Sequence, residues 1–154
     1  MMDPFKMYGK DWALLTAGSL EEHNSMTISW GSLGILWGKD IATVYVKPCR
    51  YTYEFMEKND CFVLSFFEDS YKPALGIMGS KSGRDIDKDK AAGLTPIAYK
   101  GVTLYKEAKL SIICKKIYAE DFKLEKVPED AKKNYYKVEK PHKMYIGEIL
   151  EIKE

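Results

Sequence analysis

The sequence lacks most of the motifs from which catalytic chemistry is usually read. Its three cysteines, Cys49, Cys61 and Cys114, are odd in number and far apart, and no CxxC occurs. That argues against a disulfide framework and against a structural zinc site, and it predicts reduced thiols in a cytoplasmic protein. Histidine is scarce: His23 and His142 are the two present, too few for a His-rich metal centre. There is no GxSxG nucleophile elbow and no GxGxxG dinucleotide fingerprint. The stretch GIMGSKSGRD (76–85) fails as a P-loop, because Ser80 stands where the glycine before lysine belongs and Leu75 where the first glycine belongs. No run approaches the ~18–20 apolar residues of a membrane span. The N-terminal MMDPFKMYGKDWALL, with Asp3, Lys6 and Lys10, does not read as a signal peptide. A net charge of only +1, from 24 basic and 23 acidic residues, argues against a nucleic-acid binder and against a polybasic membrane binder.

What is present is a chain of 154 residues that predicts one domain spanning 1–154, with 45% hydrophobic residues to build its core. Aromatics are in excess, with 11 Tyr and 3 Trp; such flat amphipathic rings suit interfaces and planar ligands. DWALLTAG (11–18) reads as a first strand, and period-2 patterns predict strands over SMTISW (25–30) and DIATVYVK (40–47), the last ended by Pro48. RYTYEFMEKN (50–59) changes to helical spacing, and CFVLSFF (61–67) reads as a buried strand. Short helices are predicted over 71–79 and 87–93, the second stopped by Gly93, with a polar loop over 80–85 between them. The stretch 102–118 reads as a strand or hairpin pair, the charged segment 121–142 as a loop, and KMYIGEILEIKE (143–154) as a closing strand whose apolar residues do not alternate cleanly. Many strands with a few short helices imply a mainly β barrel rather than a parallel βαβ sheet.

Three stretches can carry chemistry. KPCRYTYEF (47–55) joins a strand end to a helix start, where free N–H groups and a partial positive charge bind anions; Arg50 adds a fork of donors and Thr52 a hydroxyl. The Ser80-Lys81-Ser82 loop can form an anion-binding concavity. HNSMTISWGSLGILW (23–37) sets polar Asn24, Ser25, Thr27 and Ser29 among large rings, which suits a heterocycle with mixed donor and acceptor edges. Each has a plain structural alternative: a helix start, a solvated turn, and a strand with Trp30 in the core. Together they match flavin mononucleotide (FMN), with a phosphate at one end and a flat hydrogen-bonding ring at the other.

In this order, NSMTISWGSLGILWGKD, VYVKPCRYTYEFMEKNDCFVLSFF, LGIMGSKSGRD and KMYIGEI closely resemble the flavin reductase-like, FMN-binding split-barrel family, its flavoredoxin-type members in particular. The resemblance implies a split, Greek-key-like β-barrel with short helices, a homodimer, and FMN near the subunit interface. It implies that Asn24, Met26, Thr27, Ser29 and Trp30 line the ring. It assigns the ribityl phosphate to Arg50 and Thr52 with Tyr51 between them, and a phosphate or ring contact to Ser80, Lys81 and Ser82. Lys81 is the expected positive charge beside N1 of the flavin. His142, just before the last strand, is the candidate near flavin or nicotinamide. No side chain is expected to act as a general acid or base, and no metal is expected. The implied activity is electron transfer from NAD(P)H or a redox protein through bound FMN. Two alternatives stay open: a reductase that hands flavin as an exchangeable substrate to a partner monooxygenase, and a non-catalytic flavin- or haem-binding barrel.

Overall fold

The computed structural model describes residues 1–154. A short N-terminal helix, α1 (Pro4–Lys6), runs on through one wider turn to Asp11. Nine strands follow: β1 (Ala13–Gly18), β2 (His23–Ile28), β3 (Gly31–Leu36), β4 (Lys39–Val46), β5 (Cys61–Phe66), β6 (Pro96–Tyr99), β7 (Val102–Tyr105), β8 (Leu110–Asp121) and β9 (Lys143–Lys153). Four helices lie among them: α2 (Tyr51–Lys58), α3 (Lys72–Ser80), α4 (Lys88–Ala92) and α5 (Glu129–Tyr135). None of these helices is long and apolar enough to cross a membrane.

Seven strands form one antiparallel sheet in the order β2-β1-β5-β8-β9-β4-β3, and β6 and β7 form a separate hairpin. Only Ser29 and Trp30 separate β2 from β3, the two edge strands. Three Cα–Cα steps of ~3.8 Å reach about 11 Å at most, so the sheet must curl until its edges face each other. The result is the split barrel, mainly β, that the sequence predicts, with its gap between β2 and β3.

The core lies inside the curl. Leu15, Met26, Val44, Phe62, Leu64, Ile112 and Tyr145 meet there with Phe55 and Met56 of α2. Every residue of β1 is buried, because its other face is covered too: Leu14 packs with Leu75 and Met78 of α3. In the same way Val63 of β5 packs under Val102 and Leu104 of the β6–β7 hairpin. Burial on both faces explains why β5 reads as a continuous apolar run.

The structure corrects the sequence reading in three places and explains a fourth. The strand predicted over 25–30 starts at His23 and ends at Ile28, and a further strand, β3, follows Trp30. Gly31, Ser32 and Gly34 break the alternation that would have marked it. Within 102–118 the two strands are not a hairpin pair: β7 pairs with β6, while β8 pairs with β5 and β9. The segment 121–142 is not all loop, since it holds α5 behind Pro128 at its N-cap. In β9, the pairing Cys114↔Ile149 jumps to Ile113↔Glu151 and Ile112↔Ile152, so Leu150 is an extra, bulged residue. The bulge puts Ile149 and Ile152, three apart, on one face, which is why the alternation fails.

Candidate functional site

The barrel's gap is flanked by two cavities. The first, about 280 Å³, is lined by Asn24 of β2, by Cys49, Arg50, Tyr51 and Thr52 at the start of α2, by Gly79, Ser80, Lys81, Ser82 and Arg84 after α3, and by Lys88. Four of these side chains are cationic and none is a carboxylate. The N-terminus of α2 carries no side-chain cap, so its partial positive charge adds to theirs. Thr52 is buried, and its hydroxyl accepts a hydrogen bond from the Asn24 amide at 2.8 Å. The Arg50 guanidinium donates to the Gly79 carbonyl at 3.0 Å. Arg84 stacks 4.7 Å from the centre of the Tyr51 ring and pairs with Glu54 at 2.9 Å. Gly83 is needed here for closeness alone: a Cβ at that position would collide with the Asn24 amide oxygen. The chemistry of such a donor set is anion binding.

The second cavity, about 1110 Å³, is walled by rings: Tyr8, Trp30, Tyr45, Phe122, Tyr135 and Tyr136, with His142 among them. Trp30 is 44% exposed and meets Tyr135 edge-on at 4.9 Å and His142 at 5.4 Å. His142 is buried, and its Nδ1 shares a 2.7 Å hydrogen bond with the Tyr136 hydroxyl. Burial, with Lys47 nearby, pulls its pKa from 6.5 down to about 4, so the ring is neutral at ordinary pH. Lys47 lies beside Tyr135 and Tyr136 of this cavity. Its ammonium pairs with Glu139 at 3.0 Å, donates to the Tyr135 carbonyl at 2.9 Å and lies 5.6 Å from the Tyr136 ring centre.

The expected residues therefore fall into two groups and a remainder. Asn24, Arg50, Tyr51, Thr52, Ser80, Lys81 and Ser82 line the polar cavity; Ser29, Trp30 and His142 line the aromatic one. Thr27 turns to α3 instead, donating to the Leu75 carbonyl at 2.5 Å. Met26 points into the barrel core, 6% exposed, and lines neither cavity, so its side chain is not placed to touch a ring. Lys81 is exposed on the loop, whereas the buried cation of the cavity is Lys88. No sequence signal separates Lys88 from the other lysines of a charged stretch. The rings of 121–142 escaped for a related reason: Phe122, Tyr135 and Tyr136 lie among charges and prolines, and only the fold brings them to Trp30.

A buried polar chain holds α4 against β2. The Thr16 and Ser25 hydroxyls lie 2.8 Å apart, Ser25 meets the Tyr105 hydroxyl at 2.8 Å, and Tyr105 donates to Asp89 at 2.6 Å. The other Asp89 oxygen pairs with His23 at 2.7 Å. Burial pulls the His23 pKa down, but Asp89 outweighs it and the net shift is upward. This chain fixes the helix that carries Lys88 into the cavity.

Compared with known proteins, residues 6–154 match the family model described as flavin reductase like domain. No curated protein matches the sequence. Among solved structures, an FMN-binding protein from Thermus thermophilus with bound 1-cyclohex-2-enone is 19% identical with a TM-score of 0.74, over 100% of this chain and 75% of that one. Flavoredoxin from Methanosarcina acetivorans is 19% identical with a TM-score of 0.73, over 93% and 67%. Nitrilotriacetate monooxygenase component B from Bacillus cereus is 19% identical with a TM-score of 0.71, over 92% and 67%. At such identities the likeness to these structures is one of fold.

Proposed function

Because the chain belongs to the flavin reductase like domain family, we propose that it is an FMN-dependent oxidoreductase that passes electrons from NAD(P)H or a redox protein to an acceptor. The observation that carries this reading is the pairing of two unlike cavities along one gap. One is cationic, rich in hydroxyls and free of carboxylates; the other is walled by rings and a neutral histidine. From Asn24 to Ile28 the strand between them runs about 13 Å at ~3.3 Å per residue, a span suited to an elongated ligand with a phosphate at one end and a flat ring at the other. FMN has that shape and charge, and when bound it supplies the redox chemistry.

In this reading Arg50, Thr52, Ser80 and Ser82 hold the phosphate, with charge-assisted bonds from the guanidinium doing most of the work. Asn24 donates to the Thr52 hydroxyl, which leaves that hydroxyl's own proton for the phosphate. Trp30, Tyr135 and Tyr136 exclude water from the ring end. His142, neutral with one ring nitrogen held by Tyr136, offers its free nitrogen there as a hydrogen-bonding group without bringing a charge. Exposed apolar side chains on the β3–β4 hairpin, Ile35 at 70% and Trp37 at 65%, support a homodimer.

A second reading, in which flavin is an exchangeable substrate for a partner monooxygenase, is favoured by the exposure of Lys81 and Arg84 at the mouth of the polar cavity. One absorbance series tests both. Purified protein should show a flavin spectrum that bleaches with NADH, NADPH or dithionite, and should release FMN on denaturation. Colourless protein that takes up no FMN on titration would sink the proposal. Retained FMN with ping-pong kinetics supports a cofactor; sequential kinetics with freely exchanging flavin supports the substrate reading.

A further inference from the structure

The innermost cation of the polar cavity has no counter-ion. Lys88 is 5% exposed, and its ammonium makes one hydrogen bond, to the Ser25 carbonyl at 2.5 Å. A lysine has three donors, so two are unfilled. The nearest acids are engaged elsewhere: Asp89 holds His23 and Tyr105, and Asp87 caps α4 by accepting from the Lys90 N–H at 3.2 Å. Facing Lys88 from the start of α2 is Arg50, a second cation, bonded to the Gly79 carbonyl alone. Lys81 and Arg84 face it from the α3–α4 loop, on the side of the cationic cavity. Glu21, Glu22 and His23 lie on its other side, in the turn before β2 and at the start of that strand, with no ion pair formed to Lys88. A buried charge beside a like charge is costly unless something of opposite sign completes the set.

We propose that Lys88 is the inner ligand of the FMN phosphate, closing on it opposite Arg50, and that FMN binding is coupled to proton uptake by its amine. The inference rests on the FMN reading above. Burial, then the charge of Arg50, pulls the amine from 10.5 to about 8, with Asp89 opposing. Above pH 8 the amine is therefore largely neutral in the free protein. The phosphate monoester, whose second pKa is about 6, is a dianion throughout that range; once bound, it draws the amine back up. The bound form then carries more protons than the free form between about pH 8 and the ordinary lysine range, so affinity for FMN falls as pH rises through that window. Riboflavin has no phosphate and escapes the effect.

Fluorescence titrations of FMN and of riboflavin from pH 7 to 9.5, on the full chain and on Lys88→Met and Lys88→Arg, test this. At pH 7, Lys88→Met should weaken FMN roughly tenfold or more and leave riboflavin unchanged. Lys88→Arg, charged at every pH used, should flatten the loss of FMN affinity with pH. Lys88→Met should melt at or above the wild-type temperature, because it removes an uncompensated buried charge. Unchanged FMN affinity in folded Lys88→Met, or equal weakening of FMN and riboflavin, overturns the proposal while leaving the FMN reading intact. If Lys88→Met does not fold, the arginine variant decides: a flat pH profile supports the assignment and a wild-type decline overturns it. Wild-type protein that binds neither flavin overturns both.

Discussion

Arg50 and Arg84 line the same cavity, yet their surroundings give them different parts to play. Arg84 already has a carboxylate, Glu54, and an aromatic face, Tyr51, and both partners of its ion pair are about half exposed; exposed pairs of this kind are worth ~0–1 kcal/mol. Arg50 is partly buried with a carbonyl as its partner, so its charge is available to an anion. Arg50→Ala should therefore weaken FMN roughly tenfold or more, and Arg84→Ala no more than about fivefold. Equal losses in a fluorescence titration would place the phosphate elsewhere. His142 makes a prediction about acid stability. Its pKa falls from 6.5 to about 4 on folding, so between these values the unfolded chain binds more protons than the folded one. Its contribution is present above pH 6.5 and lost as pH drops toward 4, by roughly 3 kcal/mol at most. His23 works in the opposite sense: its raised pKa stabilises below 6.5, an effect lost as pH rises through its folded value. Urea denaturation of His142→Gln against wild type at pH 7 and 4.5 isolates the first effect; the variant should lose less stability on acidification. At this scale the sequence showed which residue types suited an anion and a ring. It did not show that Met26 turns inward or that Lys88, not Lys81, is the buried cation, because burial depends on which face of β2 and which side of α4 the barrel covers.

The strands legible in the sequence were those with one clear face or a continuous apolar run, β1, β2, β4 and β5. A local irregularity hides a strand altogether, as the glycines do in β3, or blurs only which face each residue takes, as in β9, which the sequence does show as a closing strand. In β9 the bulge at Leu150 does this, and Gly147 in the same strand is set by packing rather than by backbone freedom. A Cβ at Gly147 would run into the Phe62 ring and Cys114 across the core. Gly147→Ala should therefore cost about 1–3 kcal/mol by overpacking, read as a lower urea midpoint with an unchanged slope. The helix α4 lies within the stretch 87–93 read as helical, and Gly93 ends it at φ 72°, a conformation glycine adopts without strain; the structure adds Asp87 as the cap at its start. Helix α5 was not legible, because its face is charged and its purpose is tertiary. It holds Tyr135 edge-on against Trp30, a contact between residues about a hundred positions apart.

On the scale of the whole molecule, the near-zero net charge conceals a local separation of sign: four cations surround the polar cavity while its flank carries Glu21, Glu22, Asp87 and Asp89. The aromatic excess likewise divides between the barrel core, the ring-walled cavity and the exposed hairpin end. If that hairpin is the dimer contact, the protein should sediment at twice the mass of one chain, and Trp37→Lys should shift it toward monomer at micromolar concentration. A wild-type protein that sediments as one chain at all concentrations would count against the dimer.

Local order was determined by the sequence alone, since strand periods, helix caps and turn residues act over a few positions. So were the types of group available for a phosphate and a ring, and the order of motifs that marks the family. Only the tertiary structure decided which of those groups meet. The two-residue link at Ser29 and Trp30 forces the edges of the sheet together, and that closure gathers Asn24, Arg50 and Lys88 on one side of the gap and Trp30, Tyr135 and His142 on the other. Which lysine loses its water, and which histidine loses its charge, follows from that closure, because desolvation is a property of the packed barrel and not of any stretch of chain.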